Sequence, residues 1–168
     1  MEDPVLERRS IRKFTDQPVS DDHVTTLLKA AMSAPSAANE QPWHFVVIRE
    51  RSLLDAVATF HPYARMITQA PVAILVCGDL ERERSKGFWV EDCSAATENI
   101  LIEAQQIGLG SVWLGIYPRE DRVENMRRII AGMPEHIVPF ALVPVGYPGE
   151  SKRPSDRWDE SRVHHGRW

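Results

Sequence analysis

Pro35-Ser36-Ala37-Ala38-Asn39-Glu40-Gln41-Pro42-Trp43-His44-Phe45 joins a run of small residues to an aromatic and β-branched stretch that continues to Ile48. Trp43 to Ile48 reads as a buried strand, and the loop leading into it from Ser33 is small enough for its backbone to approach a flat ligand. Asn39 and Gln41 can each donate and accept, as a ring edge that alternates carbonyls with N–H groups requires. The same loop also fits a plain helix-to-strand connection in which Asn and Gln cap neighbouring backbone.

On the N-terminal side, Ser20 caps a helix in which Val24, Leu27, Leu28 and Ala31 recur at helical spacing, and Asp21 and Asp22 complement its positive end. Ala34-Pro35 stops it. Before it, Asp3-Pro4 opens a short helix ending near Arg8. On the C-terminal side, 52–59 and 63–69 are short helical candidates and 72–77 is a second strand. The longest helix spans 88–107, with Trp89, Cys93, Ala96, Ile100, Ala104 and Ile107 as its apolar stripe and Gly108 and Gly110 as its stop. A strand over 111–114, an amphipathic helix over 120–130 and a strand over 139–145 follow. Alternating strands and helices, taken as pattern alone, predict a doubly wound parallel sheet.

The 168 residues suit one domain, and 43% hydrophobic with 26% charged residues is ordinary globular composition. A net charge of -4 supplies no overall attraction to nucleic acid or to an anionic membrane. Cys77 and Cys93 lie in apolar stretches, as buried thiols of a reducing compartment do. With no apolar run of signal-peptide length at the N-terminus and none of about 20 residues anywhere, the expectation is a soluble, cytoplasmic protein. The chain has no G-x-S-x-G, G-x-x-x-x-G-K-[ST] or H-E-x-x-H sequence. His164 and His165, without nearby carboxylates or thiols, read as surface residues rather than metal ligands, and His44 and His61 as structural histidines, with His61 at a pocket border.

Three more segments carry polar chemistry. In Arg8-Arg9-Ser10-Ile11-Arg12-Lys13-Phe14 an extended backbone puts Arg8, Ser10 and Arg12 on one side, a donor set suited to a phosphate monoester. Gly110-Ser111-Val112-Trp113-Leu114-Gly115-Ile116-Tyr117-Pro118 ends a strand at Gly115, where a backbone amide can come close to a ligand. Arg153-Pro154-Ser155-Asp156-Arg157 adds positive charge in a tail, 147–168, that has no continuous apolar run and is expected to pack on another surface such as a partner subunit. Each segment alone also fits a solvated charge run or an ordinary turn.

In their order and spacing these segments resemble the flavin-binding pattern of the nitroreductase family over nearly the whole chain. Arg8, Ser10, Arg12 and Phe14 are similar to its Arg-x-Ser-x-Arg/Lys-x-Phe, and Pro35 to Phe45 to its Pro-Ser-x-x-Asn-x-Gln-Pro-Trp-His-Phe. Trp113 to Pro118, the Gly146-Tyr147-Pro148 turn and the closing Arg162-Val163-His164-His165-Gly166-Arg167-Trp168 resemble its short members. The resemblance implies an α+β, three-layer sandwich whose central, mostly antiparallel sheet is flanked by helices and completed across a dimer, in place of the doubly wound sheet. It implies one domain over 1–168, with the tail on the partner subunit. It also implies FMN at a homodimer interface. Arg8, Ser10, Arg12 and Arg157 would hold its phosphate with help from Arg9, and Arg153 stands as the substitute for Arg157. Pro35, Ser36, Ala37 and Asn39, with Gln41, would line the ring from the other subunit. Backbone at Leu114, Gly115 and Ile116 would reach the N5 and O4 side. NAD(P)H would be the donor and a nitroaromatic, quinone or free flavin the acceptor; a flavin-binding or sensing module without turnover is the alternative. Where some members present a lysine to the pyrimidine edge, this chain has Met66 and Tyr63, and it lacks the long insertion of larger members.

Overall fold

The structure is a computed structural model that describes residues 3–168. Asp3 accepts a hydrogen bond from the Val5 amide at 2.9 Å and so opens α1 (Pro4–Glu7), and Ser20 does the same for His23 at 3.2 Å to open α2 (Asp21–Met32). Then come β1 (Trp43–Ile48), α3 (Arg51–Phe60), a 3-10 turn (Arg65–Thr68) and β2 (Val72–Asp79). The long helix α4 (Trp89–Gln106) stops at Gly108, which takes a φ of +77°. β3 (Gly110–Ser111), β4 (Leu114–Gly115), α5 (Glu120–Ile129) and β5 (Ile137–Gly146) complete the frame.

The sheet runs β1-β2-β5-β3, with β4 also on β5, and every strand pairing is antiparallel. The doubly wound parallel sheet predicted from alternation is therefore incorrect, and the α+β arrangement implied by the resemblance is the one present. Two physical features explain the misreading. The excursion through α3 and the 3-10 turn returns the chain to the end of β1 that it left, so Ile48 pairs with Ala73 and no parallel crossover forms. β2 and most of β5 are buried on both faces, so they show the unbroken apolar runs typical of parallel strands.

Helices α2 and α4 cover one face around Leu27, Val76, Ile100 and Val143; α3 and α5 cover the other around Leu54, Leu75, Met126 and Leu142. Cys77, on β2, packs in the α3 and α5 layer and Cys93, on α4, in the α2 and α4 layer; both are buried, and burial pushes the Cys77 thiol up to about 12. The expected strand 111–114 divides into β3 and β4. Both keep one register against β5, with Gly110 opposite Gly146 and Gly115 opposite Ala141, but Val112 and Trp113 interrupt the ladder and Trp113 packs edge-on to Phe140. Past β5 the chain first folds onto its own N-terminal segment, where Thr15 donates to Tyr147 O and Gly149 to Lys13 O. Residues 153–168 are then exposed throughout, including Trp158 and Trp168. Among the described residues no helix is long and apolar enough to cross a membrane.

Candidate functional site

Beyond α1 the chain runs extended along β3. Ile11 donates to Ser111 O at 3.0 Å, and its side chain lies so close to Gly110 that a Cβ there would stand 2.7 Å from it. The tail clamps this segment from outside: Lys152 Nζ donates to Ser10 O and the Arg12 amide to Glu150 Oε1, each at 2.6 Å. The Arg12 amide and Lys152 outweigh burial and hold the Glu150 carboxyl below its usual range. Arg12 projects its side chain into solvent, and Arg8 Nε meets Glu98 at 3.4 Å. Arg9 and Arg157 converge on one hydroxyl, donating to Ser155 Oγ at 2.8 and 3.0 Å. Among the described residues Arg9 Nε is buried with no partner. Two open cavities of about 660 and 610 Å³ flank Arg9; the second is also lined by Leu6, Arg8, Ser155, Arg157 and Trp158. Arg153 is exposed beside this cluster in sequence and, among the described residues, makes no hydrogen bond to it.

The loop ahead of β1 is held in an unfavourable backbone shape. Ala38, Asn39 and Gln41 take φ of +46°, +55° and +49°, the left-handed region, at a combined cost of about 3–6 kcal/mol. Several bonds maintain it. The Gln41 amide donates to Ser36 Oγ at 3.0 Å, Gln41 Nε2 to Asn39 Oδ1 at 2.9 Å, and the Ala37 amide to Asp92 Oδ1 at 2.9 Å. Glu40 is buried and accepts from the Arg84 and Ser85 amides and the Ser85 hydroxyl, each at 2.9 Å. Burial alone would raise its carboxyl, but these donors and the Arg84 guanidinium carry it below its usual value. Asp92 moves the other way: burial, with Glu40, Glu91 and Glu83 nearby, raises its carboxyl against the Ala37 amide, and among the described residues its Oδ2 has no partner. Pro35, Asn39 and Gln41 stay exposed, and Ser36 and Ala37 half-buried. No hydrogen bond among the described residues joins this loop to residues 8–12 of the same protomer. Sequence reading missed the roles of Glu40 and Asp92. Glu40 lay inside the quoted motif; the one signal for Asp92 was an acid set beside the apolar stripe of α4.

At the end of β4 the amides of Ile116 and Tyr117 both donate to Phe140 O, at 3.1 and 3.0 Å. Ladder alternation therefore turns the backbone of Gly115 away from β5. Its carbonyl accepts from His61 Nε2 at 3.0 Å and Arg122 Nη1 at 2.7 Å, and a Cβ at Gly115 would meet nothing within 4 Å. Burial and the Arg122 charge keep His61 below its usual pKa against the bond to Gly115, and its Nδ1 accepts from the Tyr63 amide at 3.3 Å. That network assigns the neutral ring with its proton on Nε2. Leu114 and Ile116 are buried, Met66 half-buried and Tyr63 exposed. For a molecule with a phosphate at one end and a flat imide at the other, the donors suit both ends: guanidinium groups and hydroxyls around Arg9, and open space over a glycine edge.

The nitroreductase family model matches residues 5–60 and 60–147. A Methanothermobacter thermautotrophicus protein, provisionally named NADH dehydrogenase/NAD(P)H nitroreductase, is 49% identical over 161 residues, covering 96% of this chain and 84% of its own. An FMN-dependent nitroreductase from Clostridium difficile R20291 superposes with a TM-score of 0.91 at 27% identity, covering 100% of both chains. A provisionally named nitroreductase from Desulfovibrio desulfuricans, solved in complex with FMN, superposes with a TM-score of 0.85 at 30% identity, covering 98% of this chain and 95% of its own.

Proposed function

The chain belongs to the nitroreductase family, and from that premise we propose that it is an NAD(P)H-dependent FMN oxidoreductase acting as a homodimer. The donor set carries the reading: Arg9, with its buried unpartnered Nε, stands beside Ser155 and Arg157 at the phosphate end, and the glycine edge at Gly115 opens toward the ring end. When bound, FMN would supply the redox chemistry, a two-electron exchange between NAD(P)H and an organic acceptor such as a nitroaromatic, a quinone or free flavin.

The protein's part is to bind and orient. Ser10, Arg12, Arg9 and Arg157 hold the phosphate; Arg8 adds its remaining donors while Nε stays with Glu98. Arg157 takes this role rather than Arg153 because it already meets Ser155 beside Arg9. The Ile116 amide is committed to Phe140, so Gly115 supplies the amide for the N5 and O4 side, and Leu114 and Ile116 seat it in the core. Pro35, Ser36, Ala37, Asn39 and Gln41 meet the flavin of the partner subunit, which agrees with their lack of bonds to residues 8–12 of their own protomer. The exposed tail, with Trp158 and Trp168, packs on that partner and buries apolar surface that a lone protomer leaves in water. Buried free thiols suit a cytoplasmic setting.

An absorbance spectrum of the purified protein, before and after anaerobic addition of NADH and then NADPH, tests the reading. Flavin bands that bleach support a reductase and rank the two donors. Bands that persist make it a flavin-binding module, and failure to bind supplied FMN removes the cofactor altogether.

A further inference from the structure

Arg122 stands in the first turn of α5, where Glu120 and Asp121 complement the positive helix end and a cation opposes it. Its half-buried guanidinium turns back to the end of β4, with Nη1 2.7 Å from the Gly115 carbonyl and Cζ 5.9 Å from the centre of the Tyr63 ring. The adjacent acid, Asp121, is engaged by Arg119 at 3.2 Å, and among the described residues Arg122 forms no salt bridge. His61, the second donor to Gly115, is neutral, so the Gly115 carbonyl carries one formal charge against it, that of Arg122. Tyr63 and Met66, where some family members carry a lysine, bring none.

We propose that Arg122 is a positioning and charge-setting residue for bound FMN. It pins the Gly115 edge that meets the ring, and it supplies there the fixed positive charge that favours the reduced flavin. The proposal rests on the FMN reading of the site. Hydride transfer moves two electrons and one proton from the reduced nicotinamide, which leaves as the oxidised cation, onto a neutral ring that gains one negative charge. A fixed cation beside a partly buried edge favours that charged product over the neutral reactant, and arginine keeps its charge at every working pH.

The test is the two-electron midpoint potential of bound FMN, read spectroscopically against a reference dye in the wild-type holoprotein and in Arg122→Lys, Arg122→Gln and Arg122→Met. Either uncharged variant should disfavour reduced flavin about tenfold, a fall of about 30 mV for two electrons. Arg122→Lys, which keeps a charge, should recover most of that fall. Affinity for oxidised FMN should change much less, because the oxidised ring is neutral. An unchanged potential in a folded, FMN-loaded uncharged variant overturns the proposal, and so does a lysine variant that falls as far as glutamine. If the wild-type protein binds no FMN, the site reading has failed first and this assignment falls with it.

Discussion

Replacing Asp92 separates holding the loop ahead of β1 from holding the fold. The Ala37 amide gives Asp92 Oδ1 a 2.9 Å bond in a loop that stores about 3–6 kcal/mol of left-handed strain. A hydrogen bond to a charged acceptor contributes about 1.5–3 kcal/mol. In Asp92→Ala the loop loses that restraint, and about 1.4 kcal/mol of it corresponds to tenfold weaker FMN binding. Global stability should move by less than about 1 kcal/mol, because the substitution also removes a buried carboxylate with an unpartnered oxygen and three acidic neighbours, Glu40, Glu83 and Glu91. Asp92→Asn keeps an acceptor for Ala37 and should bind FMN within about threefold of wild type. The assays are quenching of FMN fluorescence on titration and thermal melting of the apoprotein. A carboxyl with a raised folded-state pKa holds its proton more tightly when folded, so its stabilising contribution is fullest in acid and declines as pH rises through the raised value. Asparagine has no proton to lose, so the melting temperature of Asp92→Asn should gain on wild type as pH climbs through that window. Equal FMN affinity in Asp92→Ala and wild type, or equal weakening in Asp92→Asn and Asp92→Ala, would refute the loop-holding argument.

Three other outcomes follow from the site. Gly115→Val should leave the apoprotein's melting temperature nearly unchanged, since a Cβ there meets nothing within 4 Å, yet weaken FMN binding at least tenfold by occupying the ring's approach; intact affinity would move the flavin elsewhere. Arg157→Ala should weaken FMN about tenfold and leave riboflavin, which has no phosphate, bound as in wild type, whereas Arg153→Ala should alter neither; a riboflavin loss equal to the FMN loss would deny Arg157 its phosphate role. Glu40 sits below its ordinary value of 4.5 when folded, so its stabilisation is present above that value and is lost as pH falls through the lowered one. Acid unfolding curves of Glu40→Gln should therefore lack part of the wild-type decline, and curves that superpose in slope would count against the buried clasp on Arg84 and Ser85.

Much of the architecture is local and was legible as such. Asp3 and Ser20 cap their helices as their side chains dictate, the α4 stripe from Trp89 to Ala104 is buried, and the two motifs at 8–14 and 35–45 led to the family. These features depend on residues within one or two turns of each other, where spacing and side-chain chemistry suffice. Strand direction did not yield to the same reading, because a strand covered on both faces looks alike in either orientation. Nor did the interruption at Val112 and Trp113, which depends on Phe140 far along the chain.

By itself, then, the sequence determined most of the elements, the caps of α1 and α2 and the chemical kind of the site residues. Tertiary structure alone decided which of those residues meet. Arg9 reaches Ser155 across 146 positions, Ala37 reaches Asp92 across 55, and His61 reaches Gly115 across 54. No periodicity encodes such pairings. They arise when burial of the two sheet faces brings distant backbone together, and each polar group taken from water must then find whatever partner the packing has put within hydrogen-bond reach.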